Sequence, residues 1–270
     1  NHLHQGVFMS LERKSKRQER REKIAQQERR NRLLTIGLIV LGAALVVFAV
    51  VWPQIRPVAE VVSVEPGTHF MPDDNTMGDP NAPIKIEEFS DFQCPFCERF
   101  HEETEPLLRQ YYIDTGRVQF VYRSMGNFVS DNMARAKGTP AKTESRDAAL
   151  AAYCAGDQDK FWEMHAHLFA NALGEDVGSF TDKRLKSIAE TAGLDLAAFN
   201  SCYDSGKYLD RVQQDFEDGQ AANINGTPGF LVTYTVNGET KTKLIEGAQP
   251  FSTFQTELEA VLNEIGVQPE

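Results

Sequence analysis

The chain has 270 residues, 41% of them apolar and 25% charged, the composition of a globular protein with room for one substantial domain and appendages. Its charge is divided: residues 1–32 carry ten basic against four acidic side chains, a local +6, residues 33–52 carry none, and the remainder carries 18 against 35, or −17. An acidic body of that size argues against nucleic acid as a partner, because phosphate contact calls for the opposite sign.

In chain order, residues 1–32 read as a basic cytoplasmic tail. Its run ERKSKRQERREKIAQQERRNR is better suited to a lipid-facing helix than to nucleic acid, because a membrane span follows. That span, LLTIGLIVLGAALVVFAVVW at 33–52, has twenty residues and no charge, and at about 1.5 Å each it covers roughly 30 Å of hydrocarbon. A cleaved signal peptide is the rival reading, but it would have a shorter apolar core and a small-x-small site close behind. Ten basic residues precede the span and only Arg56 falls between Trp52 and Lys85. A single pass is therefore expected, with the amino end cytoplasmic and the remainder extracytoplasmic in the cell membrane.

Six of the twelve prolines fall between Pro53 and Pro83, so residues 53–78 read as a semi-extended linker and 79–270 as the folded domain. IKIEEF (84–89) has strand character, Cys94 to about Thr115 reads as a helix kinked at Pro106, and VQFVYRS (118–124) as a second strand. From about Thr143 the pattern turns helical: ESRDAALAAYCA, DKFWEMHAHLFANAL, DKRLKSIAETAG with Gly193 as a stop, DLAAFNSCYDSG capped by Asp195, and KYLDRVQQDFEDGQAANI. Strand character returns in GFLVTYTV and ETKTKLIEG, which flank the hairpin signal Asn237-Gly238, and a last amphipathic helix runs from Pro250 to about Ile265. The order is β-α-β, helices, then α-β-β-α: a mixed sheet interrupted by a helical insertion at about 128–206.

All four cysteines lie beyond the span, in a compartment where disulfides persist; an even count suggests two bridges, with three connectivities, and spacing favours Cys94 with Cys97. The pair stands in EEFSDFQCPFCERF (87–100), just after a strand. A thiolate attacks a disulfide, so such a site must make one cysteine acidic, and the first turn of a helix does so through its unpaired N–H groups and positive dipole end. Cys94 sits where the helix should start, Pro95 suits the first helical position, and Cys97 comes round to the same face. Cys94 is then the nucleophile and Cys97 the resolving thiol, with Phe96 completing the dipeptide between them.

EFSDFQCPFC, followed about 130 residues later by Gly226-Thr227-Pro228 before a strand, resembles the DsbA-like branch of the thioredoxin superfamily over about residues 79–265. The resemblance implies an α/β thioredoxin fold with a helical insertion capping the site, here preceded by one transmembrane helix. It implies that Pro228 is a cis-proline whose loop faces the pair and docks substrate backbone, and that Glu88 is a buried acid beneath the pair, able to relay a proton to or from Cys97; a solvent-facing Glu88 is the alternative. The second Gly-Thr-Pro, at 138–140, lacks a following strand. The resemblance extends to CAGDQDKFWEMHAHLF and CYDSGKY, where a bridge between Cys154 and Cys202 would be a structural staple; two free buried thiols and a second redox pair are the alternatives. Strong oxidants of the family often carry His at the place of Phe96, so this chain departs from them there, and the reduction potential stays open over roughly −270 to −120 mV.

No cofactor and no metal site is expected. His165-x-His167 with Cys94 and Cys97 would supply four zinc ligands, but positions i and i+2 diverge on a helix. His101 is expected at the surface. Phe161, Trp162, Phe169 and Phe199 read as core, and Phe92, Phe96 and Phe100 as an apolar rim that receives unfolded chain, with core as the alternative for Phe92 and Phe100. The expected activity is thiol:disulfide oxidation of reduced or unfolded secreted polypeptides, and the resemblance implies reoxidation by a quinone-linked membrane partner of the DsbB or vitamin-K-epoxide-reductase type. A reductase or isomerase kept reduced by another membrane protein and a non-catalytic chaperone-like module are the rival functions.

Overall fold

The computed structural model describes residues 2–55, 59–65, 67 and 71–267, without the side chains of 2–19, 22 and 53–55. Of the residues read as a linker, 56–58, 66 and 68–70 lie outside the described ones. The chain divides into two compact units, Asn1–Val58 and Ala59–Glu270.

The first unit is a single helix, α1 (His2–Ile55), so the basic tail and the apolar span are continuous. Within it Lys23–Trp52 is long and apolar enough to cross a membrane, and none of that window is buried. A helix that leaves so many apolar side chains outward is suited to lipid, where its backbone bonds are satisfied internally. Phe48 and Trp52 stack at 5.1 Å at its end.

The second unit is built on a sheet of five strands in the order β1-β3-β2-β4-β5. These are β1 (Thr76–Met77), β2 (Ile84–Ser90), β3 (Val118–Ser124), β4 (Gly229–Val236) and β5 (Glu239–Glu246). Central β2 is parallel to β3, with Ile84 opposite Val118, and antiparallel to β4, with Glu88 opposite Phe230. Asn237 and Gly238 both take positive φ, which suits the twist of a two-residue hairpin between β4 and β5.

The helices lie on both faces. α2 (Pro95–Glu103) and α10 (Phe251–Ile265) cover one: Phe100 meets Phe230 at 4.5 Å and Phe254 at 5.6 Å. On the other, α9 (Leu209–Ala221) approaches closely enough that a Cβ on Gly219 would sit 2.9 Å from Met125 and from Phe89. The helix after the pair does not run unbroken to Thr115. It ends at Glu103, restarts as α3 (Glu105–Leu108), and closes in a wider turn at Arg109–Ile113. Pro106 has no N–H to return to the Glu102 carbonyl, so the helix breaks at Thr104 and restarts with the proline in its first turn, where that N–H is not needed.

Between β3 and α9 lie α4 (Phe128–Lys137), α5 (Glu144–Gly156), α6 (Phe161–Ala170), α7 (Asp182–Thr191) and α8 (Leu196–Ser205). α4 was not expected from the sequence; it ends at Gly138 in left-handed backbone, which puts the second Gly-Thr-Pro in the α4–α5 connection. Asp195 caps α8, accepting from the N–H groups of Ala197 and Ala198. Phe161, Trp162, Phe169 and Phe199 are core.

The expected linker is partly folded. Asn171 clasps Val62 by accepting from its N–H and donating to its carbonyl, both at 2.8 Å, and buried Arg184 donates to the Glu60 carbonyl at 3.2 Å. With β1 in the sheet as well, the second unit starts twenty residues before the expected boundary at 79, because side chains far along the chain supply the hydrogen bonds that the segment itself lacks.

Cys154 and Cys202 form a disulfide between α5 and α8, with Cα atoms 5.7 Å apart and a sequence separation of 48. In the chain-entropy model a loop of that length contributes about 4 kcal/mol. Replacing both cysteines by Ala should lower the unfolding free energy of the full chain in detergent by about that amount, measured by chemical denaturation; an unchanged midpoint would show that the bridge is not a staple.

Candidate active site

The turn Asp91–Gln93 carries the chain from β2 into α2, and Cys94 is the residue that caps α2, with Pro95 at its first position. Cys94 N–H donates to the Asp91 carbonyl at 2.9 Å. The Asp91 carboxylate accepts from the N–H groups of Gln93 at 2.9 Å and Val129 at 3.0 Å. Gln93 donates to the hydroxyls of Ser130 at 2.9 Å and Ser145 at 2.8 Å, and its carbonyl oxygen accepts from Asp176 N–H at 2.6 Å. The helical insertion thus holds the turn that aims the first cysteine. Neither Asp91 nor Gln93 was singled out in the sequence. Their signal was available: both are polar, both lie between a strand and a helix end, and such turn residues are positioned to bond local backbone.

Cys94 and Cys97 are both thiols here. Cys94 is 5% exposed and Cys97 0%, so of the two only Cys94 has any contact with solvent. Across from it the peptide bond Thr227–Pro228 is cis, and Cys94 Sγ–H donates to the Thr227 carbonyl at 3.4 Å, joining residues 133 apart in sequence. Asn223–Gly229 and Leu244–Gly247 line a cleft of about 290 Å³ beside this loop. Pro228 is buried, and Gly226 is exposed.

The two sulfurs titrate apart. The hydrogen bond from the Cys97 thiol is the largest influence that brings Cys94 down from 9.0 to about 7; burial opposes it, and the Thr227 side chain and the N–H groups of Cys97 and Phe96 reinforce it. Burial pushes Cys97 well above 9.0, and its bond to Cys94 and the charges of Cys94 and Glu88 add to that. At pH 7 about half of Cys94 is therefore thiolate, against about one part in a hundred for an unperturbed thiol of pKa 9.

Glu88 is 1% exposed, so it does not face solvent. Burial first, and then the charge of Glu105, raise its carboxyl from 4.5 to about 8, which leaves it mostly protonated at neutral pH. Ser90 shares its strand face two residues on, and favours the charged forms of both Glu88 and Cys97. Its hydroxyl is buried and makes a hydrogen bond with neither. Ser90 too was missed, although the two-residue strand period marks it. Glu87 turns to the opposite face, paired with Lys85 at 2.9 Å.

Of the three phenylalanines near the pair, Phe92 and Phe100 are core, and Phe96 alone stands out, 53% exposed, with the Arg99 guanidinium 5.2 Å from its ring centre. His101 is not the surface residue that was expected. Its side chain is 22% exposed, hydrogen-bonded to Glu105 at 2.8 Å, and packed on His165 and Phe169.

A sheet with one parallel and three antiparallel pairings, a Cys-Pro-Phe-Cys helix end, and a cis-proline loop opposite it define a thioredoxin-fold protein with a helical insertion. The thioredoxin family model matches residues 71–249, and the chain belongs to that family. It is 30% identical over 159 residues to the Na(+)/H(+) antiporter NhaA 1 of Salinispora arenicola, a match covering 59% of this chain and 21% of that protein. The chain therefore spans about a fifth of the length of the first curated relatives it matches. It is 24% identical over 204 residues to the probable disulfide bond formation protein D of Bacillus anthracis, covering 75% of this chain and 88% of that one. Among solved structures, oxidised BdbD from Bacillus subtilis superposes with a TM-score of 0.57 at 23% identity, over 76% of this chain and all of that one.

Alkylation of the reduced protein by iodoacetamide should accelerate with a midpoint near pH 7. In Cys97→Ala, which removes the strongest stabiliser of the anion, the midpoint should move up towards 9. Equal midpoints in the two proteins would refute this account of the acidity.

Proposed function

We propose that the protein is an extracytoplasmic thiol:disulfide oxidoreductase that introduces disulfides into secreted or membrane proteins, tethered by its own helix with the amino end in the cytoplasm. The observation that carries the reading is the placement of Cys94: at a helix end, acidified, and against the backbone of Thr227.

The reaction follows from the difference between the two sulfurs. A substrate thiolate attacks Cys94 of the oxidised pair; the Cys94–Cys97 bond breaks and the mixed disulfide forms on Cys94. Cys97 departs carrying the electron pair, and as the poorly acidic thiol it needs a proton, which Glu88, protonated at neutral pH, is placed to give through the region of Ser90. A second substrate thiolate then attacks the substrate sulfur, a substrate disulfide forms, and Cys94 leaves as a thiolate. Low leaving-group pKa speeds this step. The exchange oxidises two substrate thiols and reduces one disulfide, so the pair must pass two electrons onward. The DsbA-like resemblance supplies a quinone-linked membrane partner of the DsbB or vitamin-K-epoxide-reductase type for that role.

The loop Gly226, Thr227 and Pro228 supplies backbone to an extended substrate segment, and exposed Phe96 an apolar contact next to the reacting sulfur. Main-chain pairing is indifferent to side chains, which suits a broad range of reduced or unfolded secreted polypeptides.

With the full chain in detergent, Cys94→Ser should abolish oxidation of a reduced test protein, and Cys97→Ser, whose Cys94 thiolate can attack a supplied disulfide-bonded test protein but has no resolving thiol beside it, should accumulate the mixed disulfide. Wild-type activity in Cys94→Ser would instead mark a binding module. In cells the pair should be mostly oxidised; a mostly reduced pair would indicate a reductase or isomerase. Glu88→Gln, which cannot give up a proton, should slow turnover at pH 7 by at least about tenfold and remove its dependence on pH near 8; a rate and profile like wild type would remove Glu88 from the mechanism.

A further inference from the structure

Beneath the cysteine helix, and apart from the redox pair, three side chains from three helices converge. His101 from α2, Glu105 from α3 and His165 from α6 each offer one donor atom, and the three atoms lie within 4.8 Å of one another. Glu105 and His165 are each 1% exposed, and His101 Nδ1 lies 2.8 Å from Glu105 Oε2. The rings of His101 and His165 meet edge to face at 4.9 Å. The cluster was hidden in the sequence: its members are 64 residues apart at the extreme, and the evident partner of His165 was His167, which instead bonds the Glu163 carbonyl at 2.7 Å.

We infer that His101, Glu105 and His165 form a binding site for a divalent transition cation of the zinc class. Two imidazoles and one carboxylate suit borderline cations of this kind. Four ligands at 2.0–2.1 Å from a tetrahedral ion stand about 3.3 Å apart, so no pair of donor atoms, all within 4.8 Å, would have to close by more than about 1.5 Å. Three protein ligands leave a fourth position, and there is room for it: His101 and Glu105 line a cleft of about 410 Å³ that also holds Glu65, Glu102 and Arg109. Three carboxylates on that cleft outweigh its one guanidinium, so the approach favours a cation. Bound there, an ion would tie the helices after the cysteine pair to α6 of the insertion, replacing the hydrogen bond between His101 and Glu105 with a coordinate link across three elements.

The test uses the full chain in detergent with Cys94 and Cys97 oxidised, so that no thiol competes, and titrates it with Zn²⁺ by calorimetry and with Co²⁺ by visible absorption. Wild type should bind one ion, show the intense visible bands of low-coordinate Co²⁺, and gain thermal stability from Zn²⁺. His101→Ala, the least buried of the three, and Glu105→Gln should each lose affinity by at least about tenfold and lose the stabilisation. His2, His4, His69 and His167 are intact in both variants, so binding elsewhere would survive the substitutions. No binding by the wild type, or binding equal in wild type and both variants, would overturn the assignment.

Discussion

The contact on which the rest depends is the one between the sulfur of Cys94 and its surroundings at the head of α2. The strand, the turn and the helix would fold around any small residue there; what the site adds is a set of groups that prefer an anion. The Cys97 thiol is the largest of them, the Thr227 side chain is next, and the N–H groups of Cys97 and Phe96 follow. The bond to the Thr227 carbonyl works the other way, since only a protonated sulfur can donate it. The Thr227 side chain favours the thiolate, so residue 227 bonds Cys94 in both states, through its carbonyl as a thiol and through its side chain as a thiolate.

Magnitudes indicate which step benefits. Ionisation at pH 7 rises about fiftyfold over a thiol of pKa 9, but an acidic thiolate is also a weaker nucleophile, and a Brønsted slope of 0.4–0.5 over two units takes back about eightfold. The net gain in attack is only about sixfold. As a leaving group Cys94 benefits without that penalty, and in the proposed reaction departure of Cys94 is the step that would complete substrate oxidation. Cys97, buried and pushed the other way, leaves well only with a proton from nearby, and Glu88 keeps one at neutral pH because burial makes its charge expensive. The asymmetry of the two sulfurs comes from burial as much as from the helix end.

Much of the fold was legible because its elements follow local rules: the alternation of Ile84, Ile86 and Glu88 with Lys85 and Glu87, the Asn237-Gly238 turn, the Asp195 cap and the Gly193 stop. What escaped were features that no local rule carries. β1 is two residues long and exists only because Thr76 and Met77 lie against Val121 and Phe120. The segment at Glu60 to Val64 looks like spacer until Asn171 and Arg184 arrive to bond it. At the site, Cys94, Pro95 and Cys97 could be read from spacing, and Glu88 and Pro228 from a resemblance. Asp91, Gln93, Ser90 and the His101–Glu105–His165 cluster required three dimensions, because their meaning lies in partners tens of residues away. His101 is the sharpest instance: its place on the helix was foreseen, but its neighbours, His165 and Phe169, come from the insertion.

The most direct test of the central claim is a pH titration of the ultraviolet thiolate absorbance of the reduced protein, with the oxidised protein as baseline. The account predicts that one sulfur ionises with a midpoint near 7 and that the second stays protonated until well above 9. If both ionised together near 9, the head of α2 would not be holding an anion, and the proposed chemistry would have no basis.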